Sequence, residues 1–117
     1  MHELGIMAST LDMAVEVAEQ QGAARILSVR MRIGALAGVV PDALQFAFDV
    51  LAEGTLAEGG SLHIEPIPVR CQCATCEMEF SPPDLLCRCP SCGACSERIV
   101  AGRELELAGV EVEYAAA

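Results

Sequence analysis

The sequence predicts an α+β fold: two helices packed on one face of a small three-stranded sheet, with a zinc-ribbon-like four-cysteine lobe inserted before the last strand. Three observations predict it. Apolar residues recur at helical spacing in two segments, they alternate with polar residues in three others, and all seven cysteines crowd between Cys71 and Cys95. A length of 117 residues suits one compact domain, or one domain with a small appendage.

The first helix is expected over residues 4–21. Leu4, Met7, Leu11, Val15 and Ala18 form its apolar stripe, Asp12, Glu16 and Glu19 its opposite face, and Gly22 stands where a C-terminal cap belongs. Residues 25–34 read as a strand, with Leu27, Val29, Met31 and Ile33 alternating with Ser28, Arg30 and Arg32. Pro41 is placed for the first turn of a second helix, which runs to about Ala52. Its apolar arc (Leu44, Phe46, Ala47, Phe48, Val50, Leu51) is wide enough to predict a sandwiched helix. Residues 61–69 read as a strand that Pro66 and Pro68 confine to a sheet border. The cysteine segment follows from Arg70 to about Glu97. In the closing run ELELAGVEVEY, Leu105 and Leu107 share one parity and Val110 and Val112 the other, so a bulge is expected at Ala108–Gly109. The domain division that follows is 1–69 plus 98–117 for the α/β part and 70–97 for the insertion.

Composition narrows the function. At 53% hydrophobic the chain can build a core, and at 3% aromatic it must fill that core with small aliphatic side chains. No apolar run reaches the 18 or so residues of a membrane span. MHELGIMAST has no basic segment ahead of an apolar one, so no secretory signal is expected and the cytoplasm is the expected compartment. Seventeen acids against seven bases, all Arg, give a formal charge of −10, which repels phosphate backbones and argues against nucleic acid as a partner.

An odd cysteine count without an export signal points to metal rather than a disulfide framework. Cys73-Ala-Thr-Cys76 is one Cys-x-x-Cys pair. For the second, Cys89-Pro-Ser-Cys92 competes with Cys92-Gly-Ala-Cys95. Pro90 and Gly93 carry the turn chemistry that favours the first choice, giving Cys73, Cys76, Cys89 and Cys92 as ligands. Four thiolates suit tetrahedral zinc in a structural role. Such zinc is worth roughly 10–16 kcal/mol, which a segment of this size with Phe80 as its sole aromatic needs in order to fold. Cys71, Cys87 and Cys95 are left over. Cys71 and Cys87 each lie two residues ahead of a pair; they are either small buried thiols or close enough to oxidise to a disulfide.

His2 stands out by position. A free Met1 amine, the His2 amide nitrogen and imidazole, and the Glu3 amide nitrogen can chelate one ion in a plane of four nitrogens. Square-planar nitrogen coordination suits Ni(II) or Cu(II). A second-position His is ordinarily only an exposed terminal side chain, and Glu3 by itself reads as a favourable charge at a helix N-terminus. His63 reads as a solvent-facing strand residue. The Gly-spaced GALAG lacks the Lys-Ser/Thr of a phosphate-binding loop, and neither a catalytic triad nor paired catalytic acids are evident, so no enzymatic activity is expected.

MHELGIM, RIGALAGVVPDALQFAFDVLAEGT, the two Cys-x-x-Cys pairs and the late ELELAGVEVEY together resemble the HypA/HybF nickel metallochaperones over nearly the whole chain. The resemblance implies a transferable Ni(II) site at Met1, His2 and Glu3, with His2 the principal ligand. It implies structural Zn(II) at Cys73, Cys76, Cys89 and Cys92. The implied task is delivery of nickel to the [NiFe]-hydrogenase large subunit precursor, in some organisms urease, together with the GTPase HypB. The extra Cys71, Cys87 and Cys95 depart from the family pattern. Two rival readings are a zinc-ribbon protein-interaction module without nickel transfer and a thiol oxidoreductase using a surplus cysteine. The apolar second helix and the inserted lobe leave homodimerisation or swapping open.

Overall fold

The computed structural model describes residues 2–82 and 86–115. Its elements are α1 (Glu3–Gln20), β1 (Arg25–Gly34), α2 (Pro41–Leu51), β2 (Ser61–Ile67), β3 (Arg70–Gln72), β4 (Glu79–Phe80), β5 (Arg98–Ala101) and β6 (Leu105–Glu113). β2, β1 and β6 form a three-stranded sheet in that order, and β4, β3 and β5 form a second one. The chain separates into two compact units. One comprises residues 1–31, 38–65 and 106–117, the other residues 32–37 and 66–105. The second unit therefore takes in more than the 70–97 segment: the last residues of β1 and β2 and the first of β6 belong to it.

In the first unit, α1 ends in a Schellman motif. Ala23 N–H donates to Ala18 O at 3.0 Å and Gly22 N–H to Glu19 O at 3.0 Å, which requires the positive φ that Gly22 adopts at 71°. The buried stripe of α1 is Met7, Thr10, Leu11, Ala14 and Ala18. Leu4, expected inside, is exposed, while Thr10 turns inward because its hydroxyl donates to Ile6 O at 2.9 Å. Pro41 starts α2 as predicted. The expectation of a sandwiched α2 is corrected. Leu44, Ala47 and Phe48 are buried, but Phe46 is 70% exposed and Val50 48%. Only one side of α2 meets the core, and the apolar arc is wider than the stripe that side covers. Full burial of Phe48 and Leu44 contributes about 1.5–3 kcal/mol each.

β1 buries Ile26, Val29, Met31 and Ile33. The inward parity thus changes between Ile26 and Val29, and Ile26 takes the buried place expected for Leu27. The turn after α2 accounts for it: Ile26 N–H donates to Leu56 O at 2.8 Å, and Gly60 lies so close that a Cβ there would stand 2.9 Å from Ile26 O. The phase change expected in β6 falls at Gly109–Val110, both half-buried, where the Arg30 guanidinium lies against Gly109. β2 lies at the sheet border and ends at Ile67, so Pro66 removes no interior ladder bond. His63 faces solvent. No helix among the described residues is long and apolar enough to cross a membrane.

Candidate metal centres

The second unit is built around its cysteines. β3 pairs antiparallel with β4 (Cys71 opposite Phe80, Gln72 opposite Glu79) and with β5 (Cys71 opposite Ile99). Val69, Cys71, Cys73, Phe80, Cys87 and Cys89 form its small core, with Leu36, Cys76 and Ile99 packed against it. These short strands went unrecognised in the sequence, because two to four residues are too few to show alternation.

Two turns of the same construction carry the ligands. Cys73 N–H donates to Met78 O at 2.9 Å and Cys89 N–H to Ala94 O at 2.8 Å. Glu77 N–H donates to Cys73 O at 2.8 Å and Gly93 N–H to Cys89 O at 2.9 Å. Each turn closes on a residue of positive φ, Glu77 at 57° and Gly93 at 75°. Gly93 was legible as the permissive residue; its counterpart Glu77 was not, since an acidic side chain carries no such signal.

The turns bring the ligand sulfurs of Cys73, Cys76, Cys89 and Cys92 within 4.8 Å of one another. Cys73 Sγ and Cys92 Sγ are 3.6 Å apart. Four sulfurs about 2.3 Å from a tetrahedral zinc stand about 3.8 Å from one another, so the donor set and its spacing fit that ion. Cys95, the rival ligand, is outside the cluster, exposed and free, in a bridge opposite Arg88. Cys76 N–H donates to Cys73 Sγ at 3.4 Å and draws that thiol from 9.0 down to about 7. Cys76, sharing its proton with Cys73, is pushed up to about 12. Without metal, Cys73 is therefore the first of this pair to become a thiolate, and bound metal replaces the protons of the others.

Cys71 and Cys87 are joined by a disulfide, their Cα atoms 5.9 Å apart and both side chains buried. Of the two readings the sequence allowed for these residues, the structure takes the cross-link. The bridge ties together the arms that lead into the two turns. The Ser96 hydroxyl reinforces the link by donating to Gln72 O, and Ser96 N–H donates to Cys87 O at 2.9 Å.

In the first unit, His2 is the exposed N-cap residue of α1, in extended conformation at φ −91° and ψ 119°, and its imidazole makes no cap hydrogen bond. Its carbonyl accepts the Ile6 N–H at 3.1 Å. Glu3 Oε2 accepts the Val40 N–H at 3.0 Å. That bond, and after it the Glu3 amide, hold the Glu3 carboxyl below its usual value. Met1, the third residue expected at this site, lies outside the described residues.

A two-helix, three-stranded α+β unit interrupted in sequence by a compact four-thiolate unit defines a metal-binding protein. The family described as hydrogenase/urease nickel incorporation, metallochaperone, hypA matches residues 1–112. The hydrogenase maturation factor HypA of Picosynechococcus sp. is 51% identical over 112 residues, covering 96% of this chain and 99% of that protein. The hydrogenase maturation factor HypA of Roseiflexus sp. is 48% identical over 114 residues, covering 97% and 93% respectively. The solution structure of the Ni metallochaperone HypA from Helicobacter pylori matches with a TM-score of 0.71 at 26% identity, covering 98% of this chain and all of that one. The chain belongs to the HypA family, whose members are metallochaperones and maturation factors rather than enzymes.

Proposed function

We propose that this protein carries Ni(II) at its N-terminus and passes it to the [NiFe]-hydrogenase large subunit precursor in the cytoplasm, with a HypB-type GTPase as partner. Met1, His2 and Glu3 form the cargo site: the Met1 amine, the His2 amide and imidazole nitrogens, and the Glu3 amide nitrogen. One observation carries the reading. The His2 imidazole stands exposed and unengaged at the head of α1, whose first-turn amides have no acceptor within the helix. A site with a single side-chain ligand at an exposed helix start is open to a partner and can exchange its ligands one at a time. The Glu3 carboxylate, already bonded to Val40, fixes the first turn rather than serving as a ligand.

Zn(II) is the resident ion in this reading, held by Cys73, Cys76, Cys89 and Cys92. The four thiolates would occupy every position of a tetrahedral ion, which would fix the two turns and leave none open for cargo. The 70–97 segment is then the zinc lobe and the remainder the nickel-binding domain.

Complementation tests the proposal. In cells lacking their own family member, His2→Ala should leave the hydrogenase large subunit without nickel while the purified variant keeps its zinc. Full nickel loading by His2→Ala would show that the cargo does not depend on the His2 imidazole and would overturn this site.

A further inference from the structure

The first unit holds twelve Asp and Glu residues against two Arg, whereas the second holds five of each, so the whole formal charge of −10 sits on the helical unit. Both Arg of that unit are engaged elsewhere: Arg25 pairs with Glu113 at 3.8 Å, and the Arg30 side chain lies against Gly109. On this unit an open trough of about 520 Å³ runs along α1 from Ala8 to Gln20 and is closed on its other side by Leu51 and Thr55. Its floor is apolar (Ala8, Leu11, Val15, Leu51), and Asp12, Glu16 and Glu19 stand along its edge. None of these three carboxylates has an ion pair or side-chain hydrogen bond among the described residues.

We propose that this trough docks a basic amphipathic helix of a partner protein. The thirteen residues from Ala8 to Gln20, twelve steps of 1.5 Å, make it about 18 Å long, the length of a helix of three to four turns. The acids recur at i, i+4 and i+7, one per turn, so a helix lying alongside meets them with one Lys or Arg per turn while its apolar stripe enters the trough. The like charges of Asp12 and Glu16, four residues apart with no cation between them, repel in the free protein, and a basic partner relieves that repulsion. An acidic or neutral helix finds the same floor without this gain.

The test uses the full chain and two fluorescein-labelled 16-residue helical peptides, one of Leu and Lys and one of Leu and Glu, followed by anisotropy. The Leu/Lys peptide should bind, more weakly as salt rises, and the Leu/Glu peptide should not. Glu16→Gln with Glu19→Gln should weaken binding about tenfold or more, while Asp42→Asn with Glu111→Gln, equal in charge but outside the trough, should change it less than threefold. Ala8→Trp, which fills the trough from a half-buried position that lines it, should abolish binding while the circular dichroism stays unchanged. Equal weakening by both charge pairs would reduce the effect to diffuse attraction and overturn the proposal. Binding of both peptides alike, or self-association that Ala8→Trp removes, would also overturn it, the latter by giving the trough to a second copy.

Discussion

The Glu3 carboxylate accepts the Val40 N–H at 3.0 Å, joining the first turn of α1 to the residue that caps α2 across 37 positions of sequence. Val40 has no side-chain oxygen with which to cap α2, and Glu3 brings a negative charge to that positive helix end. The side chain next to the proposed cargo imidazole is thus committed to the fold.

Glu3→Gln should therefore keep its nickel stoichiometry, since the amide nitrogen remains and the side-chain oxygen can still accept from Val40. Glu3→Ala should lower the melting temperature through loss of that bond while retaining a measurable nickel site. Calorimetric melting beside nickel titration separates the two effects. A complete loss of nickel in Glu3→Gln would make the carboxylate a ligand.

The four thiolates have one purpose in this account, to hold the second unit. Cys73→Ser should take zinc below one equivalent and collapse the amide signals of residues 70–101, leaving most helical dichroism in place. Zinc uptake should fall steeply as pH drops below about 7, where Cys73 regains its proton. Amide spectra and zinc analysis across pH 5–8 read both effects.

The Cys71–Cys87 bridge predicts a simple count. Alkylation of the unfolded, metal-free chain should label five thiols before reduction and seven after it. Cys71→Ser with Cys87→Ser should lose zinc to a chelator faster, because the bridge holds the two arms together when the metal leaves. Seven labels without reductant would show that the native chain carries no bridge.

Gly34 predicts the largest effect of a single methyl group. A Cβ there would stand 2.1 Å from the Gly102 carbonyl carbon and oxygen, which are backbone atoms. Leu36 N–H bonds to that same carbonyl, and Gly34 N–H donates to Glu104 O at 2.7 Å. Gly34→Ala should cost roughly 1–3 kcal/mol or more, as overpacking against unyielding atoms does. Denaturant unfolding measures it, and Gly38→Ala, where an added Cβ meets open space, serves as a comparison in which only the positive φ is strained.

Long-period patterns were legible in the sequence and tertiary choices were not. Met7, Leu11 and Ala18 marked the buried side of α1, and Pro41 and Gly22 marked helix ends through backbone chemistry that acts locally. Which side of α2 would stay bare depends on how many layers lie around it, so Phe46 read as core and stands in solvent. Ile26 replaced Leu27 inside because a distant turn, at Leu56 and Gly60, docks on that end of β1. The cysteine choice was legible from Pro90 and Gly93, whereas the bond from Glu3 to Val40 joins residues that no local pattern connects.

Nickel titration of untagged protein with a free Met1 amine, wild type against His2→Ala, tests the account most directly. The wild type should bind one Ni(II) per chain, and loss of the imidazole should weaken that site about a hundredfold or more, some 3 kcal/mol, with zinc unchanged at one per chain. Undiminished nickel binding by His2→Ala would contradict the account and move the cargo site elsewhere on the molecule.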